Sequence, residues 1–469
     1  MIYNRLLVGV VMTLSAIAMK AEIKLPRMFD DNMVMQRNSN CNIWGTADAL
    51  KTVTITTSWN GKTYKVKAGD DGKWKLKIST PDAGGPYTIK LSDGKALTLH
   101  NILIGEVWIC SGQSNMEMPM KGFKGQPVDG ALQELMTGAD SNLRLFTVSR
   151  NARLQAVDTL QGKWNAADAE SIRQFSATAY YFGSTLRKSL RIPVGLIVTS
   201  WGGSACEAWM SSDWLKAFPD VKLPTNEKDV DKLAQRCPTA LYNGMLRPLI
   251  GFTMRGVIWY QGEDNVNRAS SYSALMEKMI SGWRNEWNEG TFPFYYCQIA
   301  PYDYSLINWN YNSAYLREQQ SMVENKVENC RMAVLMDAGL QYGIHPRKKR
   351  EAGERLAMLA LKNTYNVNGL PEFAAYSGVK FSGDTAVVSF SRSREWVYFN
   401  NSTSSNLFEV AGADKVFHPA KAWITRNQVY VKSEEVKNPV AVRYAFHDWA
   451  VGDLFHDGLP VSSFRTDNW

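Results

Sequence analysis

No two of the six cysteines (Cys41, Cys110, Cys206, Cys237, Cys297, Cys330) form a CxxC pair, so the chain offers neither a zinc-site spacing nor a disulfide-dense scaffold. Cys110, Cys206 and Cys297 lie in or beside apolar runs and are expected as buried free thiols. No dense Lys/Arg run interleaves with aromatics. The short cluster Arg347-Lys348-Lys349-Arg350 reads as the solvated start of a helix, so nucleic acid is not an expected partner. After the first 21 residues no run of about 18 apolar residues occurs, and no integral membrane span is expected. Histidine is scarce, with five in 469 residues, which leaves few candidates for acid–base chemistry at neutral pH.

What is present points to a folded chain of several parts. A 45% hydrophobic and 12% aromatic composition can bury a large core, and 469 residues exceed what one core usually holds. The formal charge of +8 is ordinary for this size. Residues 1–21 resemble a secretory leader, with Arg5 ahead of an apolar stretch from Leu6 to Ile17 and small residues at Ala16-Ile17-Ala18 and Met19-Lys20-Ala21. Export to the periplasm or outside the cell is therefore expected.

Three rhythms follow. Residues 22–100 alternate as short strands joined by Asn60-Gly61, Asp71-Gly72 and Asp93-Gly94 turns, which predicts an all-β domain. Residues 101–365 alternate strands (Glu106–Cys110, Leu143–Val148, Val194–Ser200, Met254–Tyr260, Phe292–Ile299, Met332–Met336) with helices (Gln174–Leu190, Thr239–Leu246, Ser271–Trp287, Tyr311–Asn325, Arg350–Asn363). The almost wholly apolar strands predict an α/β fold with a mostly parallel sheet covered on both faces. Residues 366–469 return to short strands. There Trp396 and Tyr398 share a face and either stack on a sugar or, as favoured here, pack into the core.

Chemistry concentrates after strands, where ligands meet open α/β sheets. Val107–Cys110 runs directly into Ser111-Gly112-Gln113-Ser114-Asn115, which presents Ser114 at a strand end; a plain polar turn is the alternative. Of the histidines only His345 falls within the α/β part, on a loop after Ala333–Met336, so it is the candidate base for Ser114. The Gly202-Gly203 pair after Val194–Ser200 can bring backbone N–H groups close to a ligand. Trp259-Tyr260-Gln261-Gly262-Glu263-Asp264-Asn265 places amides and two carboxylates after another strand. Gln261 can donate a hydrogen bond, whereas the carboxylates Glu263 and Asp264 open a glycoside hydrolase reading.

Taken in order, Gly112–Met116, Trp201-Gly202-Gly203, Trp259–Asn265 and Ile344-His345-Pro346 resemble the SGNH hydrolases, and specifically the sialate O-acetylesterase family. Asp31–Arg37, Leu241–Met245 and Gly458–Arg465 extend the similarity over nearly the whole chain. The resemblance implies an SGNH-like three-layer sandwich with N- and C-terminal β regions, and removal of O-acetyl groups from sialic acid or a related glycan sugar without metal or organic cofactor. It implies Ser114 as nucleophile and His345 as base. The oxyanion donors would be the N–H groups of Ser114 and Gly203 and the Gln261 side chain, with Gly202 and Asn265 as alternates. Family members place an aspartate two or three residues before the histidine, where this chain has Gly343 and Tyr342. Asp337 and Glu263 are the candidate orienting acids, and a backbone carbonyl holding the imidazole of a dyad is the other option. A glycosidase using Glu263 and Asp264, or a glycan-binding protein without catalysis, are the rival readings.

Overall fold

The computed structural model describes residues 22–307 and 311–469. The leader-like residues 1–21 lie outside the described residues.

A mixed α/β sheet organises the molecule. Its strands are β1 (Ala96–Gly112), β2 (Asp140–Thr147), β3 (Trp164–Ala167), β4 (Val194–Ser200), β5 (Gly256–Tyr260), β6 (Phe294–Cys297) and β7 (Cys330–Ala333). In space they run β7-β6-β5-β1-β4-β2-β3. The pairings from β7 through to β2 are parallel, and β3 closes the edge antiparallel. Every residue of β4, β5 and β6 is buried, which explains why these strands read as unbroken apolar runs.

Helices α1 (Ser114–Glu117), α2 (Ala177–Leu190), α3 (Tyr272–Trp287), α4 (Ala314–Lys326) and α5 (Lys349–Asn363) lie among these strands in the chain. Trp108 of β1 meets Phe182 of α2 edge-on at 5.1 Å, and Gly183 of α2 lets that helix sit on Leu196 of β4. Trp259 of β5 pairs in register with Ser111, an odd number of residues from Trp108, and packs on Trp283 of α3 at 5.9 Å. The pleat therefore sends these two tryptophans to opposite faces. Truncating either to alanine would cost about 3–5 kcal/mol.

Strand β1 is 17 residues long and crosses the expected division at residue 100. Its first half pairs antiparallel with Gly84–Ser92 of the N-terminal strands, and its second half lies parallel between β4 and β5. Buried Glu106 marks the change of partners. It accepts from Arg37 Nε (2.6 Å), Arg255 Nε (2.8 Å) and Gln36 Nε2 (3.1 Å), while Gln36 Oε1 accepts from Val107 N (2.9 Å). The Asp31–Arg37 motif thus anchors the N-terminal strands. The terminal motif does the same elsewhere: Arg465 pairs with Glu318 of α4 at 2.8 Å and Ser463 accepts from buried Arg317 at 3.1 Å.

Several local expectations differ from the structure. The helix expected over Thr239–Leu246 is a single π turn, Tyr242–Leu246, with Pro248 close behind. Trp396 and Tyr398 are not core: they are 65% and 40% exposed, because Val397 and Phe399 take the buried face of their strand. Nor is the basic cluster wholly solvated. Arg347 pairs with Asp129 and Arg350 with Glu134, but Lys349 is fully buried. All six cysteines are buried free thiols. Among the described residues no helix is long and apolar enough to cross a membrane.

Candidate active site

Three strands end level with one another. Gly112 of β1 pairs with Ser200 of β4 and with Tyr260 of β5, so the loops carrying Ser114, Gly202-Gly203 and Gln261–Asn265 leave the sheet side by side. Gly112 has φ +139°, and a Cβ there would lie 2.1 Å from the Tyr260 carbonyl oxygen, so only glycine allows this turn. Ser114 then opens α1, half-buried, and its Oγ has no hydrogen-bond partner among the described residues. Helix α2 holds the turn from below. The Ser176 hydroxyl that caps α2 by accepting from Ala179 N also donates to the Met116 carbonyl at 2.5 Å, and Thr178 Oγ1 donates to the Asn115 carbonyl at 3.0 Å.

His345 arrives from further away. Its loop follows β7 at the sheet edge and must return over β6 and β5, which it does on a bond from Asn115 Nδ2 to the Ile344 carbonyl (3.1 Å). This bond joins the residue after Ser114 to the residue before His345. The other four histidines are engaged elsewhere: His100 lies 3.6 Å from Asp31, His418 and His447 bond Glu435 and Glu409 at 2.9 Å, and His456 bonds the Glu372 carbonyl.

Neither expected acid orients the imidazole. His345 Nδ1 instead donates to Gln126 Oε1 at 2.6 Å, in the tautomer that leaves Nε2 free to accept a proton. Asp337 is held in a two-point bond by Arg355 (2.6 and 2.7 Å), and Glu263 accepts from Asn115 Nδ2 at 2.5 Å. Gln126 comes from the tight turn Phe123-Lys124-Gly125-Gln126, closed by Gln126 N to Phe123 O (2.9 Å) with Gly125 at φ +73°. The same turn sets the Phe123 ring edge-on to His345 at 5.1 Å. Burial first, and the charge of Lys349 second, push the His345 imidazole down to about 4. The ring is therefore neutral at physiological pH.

The oxyanion side also differs from expectation. Gln261 is fully buried and spends both amide protons, on Ser204 O (3.0 Å) and Asn265 Oδ1 (2.8 Å), while its Oε1 accepts from Tyr272 OH (2.7 Å). Asn265 is likewise buried, donating to Glu207 Oε2 (2.9 Å) and accepting from Cys206 N (3.0 Å). Both amides brace the loops from beneath. Gly202 N–H is taken by Glu117 Oε2 (2.8 Å), and Glu117 Oε1 is paired with Arg150 (2.6 Å). A Cβ on Gly202 would lie 3.3 Å from Ser114 Cβ, which measures how closely this turn approaches the serine. The N–H groups of Ser114 and Gly203 have no partner among the described residues.

The two acids of the Gln261 loop are not set as a glycosidase pair. Asp264 is ion-paired to Arg236 (2.6 Å) and lies 3.7 Å from Arg268, and Glu263 is buried against Asn115. A cavity of about 360 Å³ is lined by Glu117, which holds Gly202, and Phe123, which packs on His345, together with Arg150 and Ser200; Ser114 and His345 themselves do not line it. Larger cavities, among them two of about 710 and 570 Å³, lie away from these loops, between α4 and the C-terminal strands and beside Trp44 and Trp74. Gln126 and Glu117 had no mark in the sequence beyond the Lys124-Gly125 turn and a spacing of one helical turn from Ser114.

Residues 104–362 match the family described as carbohydrate esterase, sialic acid-specific acetylesterase. Human sialate O-acetylesterase is 31% identical over 378 residues, covering 73% of this chain and 71% of the human protein. The rat enzyme of the same name is 29% identical over 408 residues, covering 73% of each. A carbohydrate acetylesterase from Xanthomonas citri superposes with a TM-score of 0.87 at 34% identity, covering 96% of this chain and 100% of that one.

Proposed function

This chain belongs to the carbohydrate esterase family of sialic acid-specific acetylesterases, and from that premise we propose that it is a serine-type carboxylic-ester hydrolase. It removes O-acetyl groups from sialic acid or a related acetylated glycan sugar. The observation that carries this reading is the meeting of the Ser114 turn, the Gly202-Gly203 turn and the His345 loop at one end of the sheet. The parallel pairings around β1 and the helices on both faces support an SGNH-type sandwich as its frame.

The residues divide the work as acyl transfer requires. His345 Nε2 takes the Ser114 hydroxyl proton as Oγ attacks the acetyl carbonyl. The developing oxyanion is met by the two uncommitted backbone donors, Ser114 N–H and Gly203 N–H. The sugar leaves as an alcohol with the proton from His345, and water activated by the same imidazole releases acetate. Gln126 fixes the tautomer without adding a charge, so the imidazolium formed in transit lacks a carboxylate partner. The leader-like residues 1–21 support export, which N-terminal sequencing of the mature protein would test.

Ser114→Ala and His345→Ala should each abolish acetate release from a chromogenic acetate ester and from acetylated sialosides, with melting temperature unchanged. Full turnover in either variant overturns the mechanism. Free sugar released from an unacetylated glycan would instead revive the glycosidase reading, and saturable binding without acetate release the non-catalytic one.

A further inference from the structure

Beneath Ser114 and His345 lies a polar cluster that the reaction scheme above does not use. Lys349, the first residue of α5, is fully buried, and its Nζ donates to Asn115 Oδ1 at 2.5 Å. Asn115 is also fully buried. Its amide donates to Glu263 Oε1 (2.5 Å) and to the Ile344 carbonyl (3.1 Å). One side chain therefore ties together the nucleophile turn, the loop after β5, the histidine loop and the start of α5.

The position of Lys349 runs against two physical preferences. An ammonium group out of water is costly unless paired, and a cation in the first turn of a helix opposes the helix dipole. Glu263 also stands in an incomplete environment: its Oε2 is buried without a hydrogen-bond partner. Charged groups placed at such cost are expected where function holds them.

We propose that Lys349, Asn115 and Glu263 form a buried bridge that sets the nucleophile and base loops in register, with Lys349 as a positioning residue for the esterase reaction. The bridge rests on the assignment of Ser114 and His345. It acts through geometry, because the Asn115 amide fixes Ile344 and hence the reach of the imidazole. It also acts through charge. His345 faces Lys349 and the neutral Gln126 and Phe123. Lys349 faces Glu263, the Cys297 thiol and the Tyr260 ring, 5.8 Å from Nζ. Glu263 faces Asp264 in addition, and the Tyr260 and Tyr304 hydroxyls respond to its charge. Burial pushes Lys349 down to about 7 and Glu263 upward, so Lys349 is protonated over the acidic range in which His345 titrates. Its positive charge there keeps the imidazole in its proton-accepting form.

The test uses Lys349→Met, of similar shape, and Lys349→Gln, which keeps a donor for Asn115 without the charge. kcat and KM are measured against pH, with thermal melts and the His345 ring titration followed by NMR. In Lys349→Met, kcat should fall ~10–100-fold with KM little changed. The acid limb of kcat/KM and the ring titration should both move up by about one pH unit. Lys349→Gln should show the same pH shift with a smaller loss of kcat, and it carries the test if Lys349→Met does not fold. A folded variant with wild-type kcat and an unmoved limb overturns the bridge, and a lowered melting temperature alone would mark Lys349 as purely structural. Turnover surviving in Ser114→Ala would instead defeat the Ser114 assignment, while the ring titration would still report on the bridge.

Discussion

Replacing Gln126 by glutamate restores, at one remove, the acid that the histidine loop lacks. The contact is 2.6 Å between heavy atoms, and an imidazolium spreads its charge over the ring, so the two charges would sit roughly 4 Å apart. At an effective dielectric of about 20 their attraction is about 4 kcal/mol, or about 3 pH units at 1.36 kcal/mol per unit. Gln126 is half-buried, and solvent should reduce this to roughly 1.5–3 units. The imidazole would then rise from about 4 to between about 5.5 and 7. Because the base must be neutral, the acid limb of kcat/KM should move up by the same amount, and activity near pH 5 should be lost. At about pH 8 the imidazole is neutral in both forms, so activity there should be kept or raised, since the carboxylate now stabilises the imidazolium formed during transfer. Gln126→Ala is the complement: it removes the Nδ1 partner, costs about 1–3 kcal/mol, and should lower kcat roughly 5- to 150-fold. A folded Gln126→Glu enzyme whose acid limb stays near pH 4 would refute the contact between this side chain and His345.

Gln261→Leu separates a brace from an oxyanion donor. Taking the amide donor from Ser204 O, and one of two contacts each from Asn265 Oδ1 and Tyr272 OH, should cost about 1–3 kcal/mol in a melt, with kcat of the folded fraction near wild type. A loss of 10²–10³ in kcat at unchanged stability would return Gln261 to the oxyanion hole. Glu106→Ala should destabilise by about 1.5–3 kcal/mol in urea unfolding, because it removes the carboxylate that holds Arg255 and one of the two that hold Arg37 where the N-terminal strands join the sheet. Asp337→Asn should lower the melting temperature by loosening Arg355 while leaving the pH profile unmoved, as expected of an acid that does not face His345.

Much of this protein was legible from local signals. Strand and helix periods are written in neighbouring residues, so Val194–Ser200 and Tyr272–Trp287 could be placed from pattern alone. The strand-end setting of Ser114 was equally local, since an apolar run meeting small polar residues needs no knowledge of the rest of the chain. The scarcity of histidine then left His345 as the candidate base within the α/β part. Where the pattern was local but ambiguous, it misled: Trp396 and Tyr398 share a face, but only packing decided that Val397 and Phe399 point inward instead.

What the tertiary structure alone decided are the partners. Gln126 and His345 are 219 residues apart, and Lys349 and Asn115 are 234 apart. No periodicity records such distances; they follow from the order in which strands are laid into the sheet and from the loop that carries His345 back from its edge. The same topology makes β1 a shared strand that runs on through residue 100 and changes partners just beyond it. It also turns Gln261 inward, because three buried groups compete for its amide before any substrate can. Sequence determined which residue types stand at the strand ends, since that depends on neighbours along the chain. Which of them remain free to react depends on neighbours in space, and only the fold supplies those.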